Sequence, residues 1–378
     1  MSEQISMLPE LIQTQESLAR LVEDLGRQPR LAVDTESNSL HAYRERVCLI
    51  QFSIPGRDII VDPLALEHVG SLGAVFSDPG IEKVFHAAEY DILCLRRDFG
   101  FEFSSIFDTM QAGRILGRKM AGLDRLLEEK FGVKVSKRLQ KADWGVRPLS
   151  RESLEYAAQD THYLIPLRDM LEIDLRERGL LELAQEDFRM ACNSRNHLGG
   201  TETASPAWVR FGARRDLAPQ DLAVLKELSD WRESTAERLD RPPFKVMSDE
   251  RLIEIARAKP TSMDALAAAG VAERQVHQWG TGLIQAVERG LQSPPLHRAR
   301  PQTPSAAFLK RLELLKEWRK KEAAGMDVES DVVLPRALLL ALADRGPQDL
   351  EIVMQPSPWR LKRFGAQIVT VLQRVPAG

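Results

Sequence analysis

Long apolar runs are missing from this 378-residue chain, which leaves no stretch suited to cross a bilayer as a helix. The opening "MSEQISMLPELIQ" has no apolar core of the secretory-signal kind, so a cytoplasmic protein is expected. Cysteine is scarce: Cys48, Cys94 and Cys192 are far apart and odd in number. That suits reduced, mostly buried thiols better than disulfides or a zinc site. An excess of either charge is also missing, with 52 Lys and Arg against 55 Asp and Glu and a net charge of −3. The chain as a whole is therefore no electrostatic magnet for nucleic acid. Polyanion binding would need local basic patches, or cations that bridge acid to phosphate. What is present, 43% hydrophobic and 28% charged residues, is ordinary for a soluble globular protein, and the length favours two or three domains.

The first half alternates two periodicities. "RLAVDTE", "RVCLIQFSI", "RDIIVDP" and "EKVFHAA" read as strands, and the short polar turns between the first three predict an antiparallel meander. "AAEYDILCLRRDFG", "DTMQAGRILG", "GLDRLLEEKFG" and one long pattern from about Ser150 read as helices. This α/β block extends to about residue 205, with "NSRNHLGGTETASPA" as a linker. Beyond it strand signals stop and a repeat begins. Residues 225–260 align without gaps on 312–347, placing Trp231 on Trp318, Val246 on Val333, Leu252 on Leu339 and Pro260 on Pro347. "QVHQWGTGLIQAV" then matches "RLKRFGAQIVTVL" after a two-residue deletion. Two copies of one small all-helical domain are expected at 208–293 and 301–376, joined by a Pro-rich linker.

One arrangement in the first block is costly. "LAVDTESNSL" starts as a buried strand, yet Asp34 and Glu36 follow two apart, on one face. Like charges side by side at the end of an apolar strand repel unless something neutralises them. Asp91 begins a helical pattern among apolar neighbours, where it is either a site residue or a helix N-terminal acid. Tyr156 and Asp160 in "SLEYAAQDTHYLIPL" are four apart on one helix face, with Ser150 as N-cap. The preceding loop "LQKADWGVRPLS" offers Lys141, Trp144 and Arg147 to a substrate, although Trp144 would serve equally as a plug that pins the loop. His86 and His162 read as structural. Four carboxylates in one α/β block suit hard divalent cations such as Mg²⁺ or Mn²⁺. Two such ions suit an in-line displacement at phosphorus, one activating the attacking water and one steadying the leaving oxygen.

"VDTES", "FHAAEYD" and "YAAQD" resemble the three motifs of the DEDD superfamily of 3′→5′ exonucleases, the last in its tyrosine form. "FDTMQAGRIL" and "LQKADWGVRPLS" widen the match to the ribonuclease D family, and the repeats resemble its C-terminal HRDC domains. The resemblance implies a ribonuclease-H-like exonuclease domain at 1–205. It also implies that Asp34, Glu36, Asp91 and Asp160 bind two divalent ions, Asp34 bridging both. Tyr156 would orient the attacking water. It implies release of 5′-mononucleotides from RNA 3′ ends, with tRNA precursors as substrates and a monomeric protein. A DNA-directed exonuclease and a non-catalytic nucleic-acid-binding protein are the rival readings, because no residue announces recognition of a 2′-hydroxyl. In the repeats the aromatic residues read as core anchors. Arg214, Arg215, Arg241, Lys245, Lys310, Arg311, Lys316, Arg319, Lys320, Lys321, Arg360, Lys362 and Arg363 form either phosphate-gripping patches or solvated faces. The repeats are expected to lengthen an RNA-binding track without touching the chemistry.

Overall fold

The computed structural model describes residues 8–193, 208–209, 217–297 and 304–375. The linker read at 193–207, apart from Asn193 itself, and Arg214 and Arg215 lie outside these residues. The apolar segments of the first half build one six-stranded sheet. Its strands are β1 (Glu10–Ile12), β2 (Arg30–Ser37), β3 (Val47–Ile54), β4 (Arg57–Val61), β5 (Glu82–Phe85) and β6 (Ile106–Asp108). They lie in the order β1-β4-β3-β2-β5-β6. The expected meander is present: β2 pairs antiparallel with β3, and β3 with β4. β5 runs parallel beside β2, so the ends of β2 and β5 face the same way. β1 and β6 escaped the sequence reading; three-residue strands are too short to show a periodicity.

Helices α1 (Gln15–Gly26), α2 (Leu72–Ser77), α3 (Glu89–Phe99), α4 (Thr109–Ile115), α5 (Leu123–Phe131), α6 (Arg151–His162), α7 (Leu164–Glu177) and α8 (Leu181–Asn193) complete this block. The single long helix expected from Ser150 is in fact two, α6 and α7, which meet at Tyr163. Pro166 explains the break, since it has no N–H for the carbonyl four residues back and is tolerated only in a first helical turn.

The repeat is real. The first copy contains α9 (Pro219–Arg238), α10 (Pro243–Val246), α11 (Asp249–Ala258), α12 (Met263–Ala268) and α13 (Glu273–Gln292). The second contains α14 (Ala306–Met326), α15 (Ser330–Val333), α16 (Arg336–Arg345), α17 (Leu350–Met354) and α18 (Pro358–Leu372). Each has its own apolar core, with Trp231 edge-on to Trp279 in one and Trp318 edge-on to Phe364 in the other.

Compactness groups these pieces into two units. One unit combines the α/β block with the second helical copy, Thr303–Gly378. Val332 of α15 joins the α/β core itself. Arg360, expected to be exposed, is fully buried there. Its guanidinium grips Asp187 of α8 with two bonds of 2.7 and 3.0 Å and donates to the Val332 carbonyl at 2.7 Å. Glu186 beside it accepts from Ser357 Oγ at 2.6 Å and from the Trp359 amide. Arg114 of α4 reaches Glu329 and Asp331, each at 2.6 Å. Arg311 and Arg319, also on the list of exposed cations, donate to the carbonyls of Ala343 and Leu334.

The other unit joins the first helical copy to residues 38–46, the segment between β2 and β3. In it the Tyr43 amide donates to Asp240 at 3.1 Å and Arg44 pairs with Glu237 at 2.8 Å.

Candidate active site

β2 carries Asp34 and Glu36 at its exit, on the face that α6 covers. The register sets Asp34 opposite Gln51 and Glu36 opposite Leu49. α6 is fastened over this face by a polar string: Ser53 Oγ contacts Thr161 Oγ1 at 2.7 Å and Asp58 Oδ1 at 2.5 Å, while His162 Nδ1 contacts Asp58 Oδ2 at 2.7 Å. His162 is thus structural, and the helix it anchors presents Tyr156 and Asp160. The third element is the turn from β5 into α3. Ala87 adopts a left-handed φ of 63°, unusual for a residue with a Cβ, and α3 starts directly after it. The buried Asp108 holds the turn by accepting the amides of Ala87 at 3.1 Å and Ala88 at 2.9 Å, while capping α4 through Met110 and Gln111. Thr109 Oγ1 adds a bond to the Phe85 carbonyl and contacts His86 Nδ1 at 2.9 Å. These bonds fix the start of α3 and with it Asp91, whose Oδ1 accepts from Thr35 Oγ1.

The four carboxylates occupy one electrostatic neighbourhood. Burial raises Asp34 well above the usual carboxylate range, and Asp91, Asp160 and Glu36 push it further. Glu36 is pushed up to about 9 by burial and then by Asp160 and Asp91. Burial lifts Asp91 and Asp160 to about 7. Tyr156 is raised by burial and by Asp160, Glu36 and Asp34, so its hydroxyl keeps its proton. Asp34, Glu36, Tyr156 and Asp160 are partly exposed, Asp91 buried. A concentration of negative charge, built from oxygen donors and partly open to solvent, suits hard divalent ions chemically. Among the described residues no three His, Cys, Asp or Glu side chains are gathered tightly enough to hold an ion as they stand.

The loop before α6 corrects the sequence reading. Trp144 is 2% exposed and packs with Cys48, Leu49, Leu154 and Ala157, its ring 6.0 Å from that of Tyr156. Arg147 donates twice to the buried Asp62 at 2.7 Å, and to the carbonyls of Cys48, Trp144 and Val146. Trp144 has no face left for a substrate, and the Arg147 guanidinium is engaged by Asp62 and three carbonyls; together they pin the loop behind Tyr156. Lys141 is exposed. The sequence reading also missed Asp108 and Thr109, read only as helix. A Ser, Thr, Asp or Asn at a helix start signals a cap, which was the available clue. Cys48, Cys94 and Cys192 are free and buried, as expected.

Comparison with known proteins agrees with this architecture. A family model described as 3′-5′ exonuclease matches residues 9–176, and the HRDC domain model matches 221–287 and 308–372. The chain is similar to ribonuclease D of Gluconacetobacter diazotrophicus, 30% identical across 96% of this chain and 92% of that protein. It is 34% identical to the exosome complex exonuclease RRP6 of Saccharomyces cerevisiae over 68% of this chain, but spans only 37% of that relative's length. Of the RRP6-like 2 protein of Arabidopsis thaliana, 33% identical, it spans 30%. Among solved structures, Escherichia coli RNase D, described as an exoribonuclease involved in structured RNA processing, superposes with a TM-score of 0.71 and 26% identity. The match covers 98% of this chain and all of that one.

Proposed function

The chain belongs to the ribonuclease D family of 3′→5′ exoribonucleases, and from that premise we propose that it hydrolyses the 3′-terminal phosphodiester of RNA, releasing 5′-mononucleotides one at a time. The reading rests on one observation above all: Asp34, Glu36, Asp91 and Asp160, drawn from one strand end and two helices, share a negative field. In this reading Asp34, Glu36, Asp91 and Asp160 would hold two divalent ions, Asp34 being shared by both. Such ions would offset the acids' repulsion, lower the pKa of water and steady the leaving oxygen. Tyr156 keeps its proton and donates it as a hydrogen bond, orienting the attacking water without acting as a base. Lys141, at the rim of the pinned loop, meets the RNA backbone. Structured RNA is the substrate class that the likeness to the Escherichia coli enzyme supports, and within it we propose the 3′ ends of tRNA precursors. The protein acts as a cytoplasmic monomer of three modules, 1–205, 208–293 and 301–376. Among the described residues no helix is long and apolar enough to cross a membrane.

The test is to incubate the full chain with Mg²⁺ and matched 3′-labelled RNA and DNA strands, with Asp34→Asn as control. Nucleotide release from RNA by the wild type and not by the variant is expected. Release from DNA alone, or from neither strand, overturns the reading.

A further inference from the structure

One buried polar side chain beside the acids has no task in the fold. Gln51 is in β3 directly opposite Asp34. Residues so paired across antiparallel strands project from the same face, with Cβ atoms about 4.5–5.5 Å apart. Its neighbours on that face are accounted for. Leu49 packs with Trp144 and Ala157, and Ser53 is bonded to Asp58 and Thr161. Ala157 and Thr161 both belong to α6, so Gln51 lies beneath the helix that presents Tyr156 and Asp160. Its side chain is completely buried, and among the described residues neither Nε2 nor Oε1 has a hydrogen-bond partner. An amide with two donors and an acceptor is expensive to bury unpaired, and a leucine of similar volume would fill the space without that penalty.

We propose that Gln51 is a positioning residue for the hydrolysis: its Nε2 donates to one oxygen of the Asp34 carboxylate when the site is loaded, holding that carboxylate in a single rotamer. The inference rests on the reading of Asp34 as a metal ligand. A carboxylate that must serve two ions has to be held in one rotamer, and a donor to one of its oxygens does that, as supporting hydrogen bonds do in metal sites generally. Direct cross-strand opposition selects Asp34 over the other acids as the acceptor. The amide is unpaired beforehand because its partner is recruited only when the carboxylate turns.

The test uses the full chain with Gln51→Leu, and with Gln51→Met as a second variant of similar volume. Three quantities are read: the melting temperature without metal, Mn²⁺ affinity by titration calorimetry, and kcat and KM on 3′-labelled RNA. The expected result pairs opposite signs: the metal-free variants melt higher, because a buried unpaired amide is gone. Meanwhile Mn²⁺ affinity falls by roughly tenfold or more. kcat falls with it and KM for RNA stays unchanged. Variants that melt lower, with metal affinity and kcat intact, would show a structural amide satisfied by a buried water and overturn the proposal. Variants like wild type in all three readouts would overturn it too. Loss of wild-type activity on RNA is a different failure, that of the functional reading, and the calorimetry keeps the two apart.

Discussion

Asp108 shows how much of an active site is carried by residues that touch no substrate. One carboxylate accepts four amides, two from the turn at Ala87 and two from the first turn of α4. Asp108→Ala leaves buried donors unsatisfied and removes a helix cap, so a loss of roughly 3 kcal/mol in urea unfolding is expected. Arg147 permits a prediction in pH. Burial alone would raise the Asp62 carboxyl, but the bonds from Arg147 and Gln13 outweigh it and hold Asp62 below its usual value of 3.8. A depressed folded pKa contributes stability that is present above the unfolded pKa and fades as pH falls through the folded one. Arg147→Leu should therefore lower the melting temperature at pH 7 and flatten its decline below about pH 4, as calorimetry across pH 2.5–7 would reveal. A variant whose acid limb matches wild type would remove the pair from the account. Sequence made Asp34 and Glu36 legible, because strand alternation fixes their common face. It could not distinguish an arginine that meets phosphate from one that meets an aspartate 85 positions away.

Among the elements, the strong periodicities were readable and the junctions were not. The meander, α3, α4 and α5 follow their apolar spacing, whereas the break at Tyr163 depends on Pro166, one residue inside an otherwise continuous pattern. In the second helical copy the bundle was readable, but the burial of Arg360 was not. The copy's cations could have been phosphate-gripping or solvated, yet Arg360 is committed to joining that bundle to the α/β block, where Arg114 of α4 meets its acids Glu329 and Asp331. Burial of a bidentate pair makes the joint sensitive to losing one half. Arg360→Leu strands Asp187 and should cost about 3–5 kcal/mol, read as a lower denaturant midpoint. The aligned position in the first copy is Gln275, which makes only a 3.4 Å bond to the Val246 carbonyl. Gln275→Leu is expected to change stability by less than about 1 kcal/mol. Equal losses from the two substitutions would contradict this account of the joint.

For the molecule as a whole, a net charge near zero concealed an uneven distribution, with four acids gathered at one place. Sequence order implied three successive domains, and only coordinates could show that the last segment packs with the first. Removal of residues 304–378 is therefore expected to do more than shorten an RNA track. It uncovers Glu186, Asp187 and the apolar surface under Val332, and the remaining chain should melt well below the full one in differential scanning calorimetry. An unchanged melting temperature for the α/β block would show the contact to be dispensable. The arginine buried between α18 and α8 carries one more implication. Two copies that began alike have ceased to be spare parts for each other. A chimera bearing the 208–293 sequence at both places would still form two sound bundles, yet the terminal one, with glutamine at the anchoring spot, would swing loose from the nuclease it is meant to buttress.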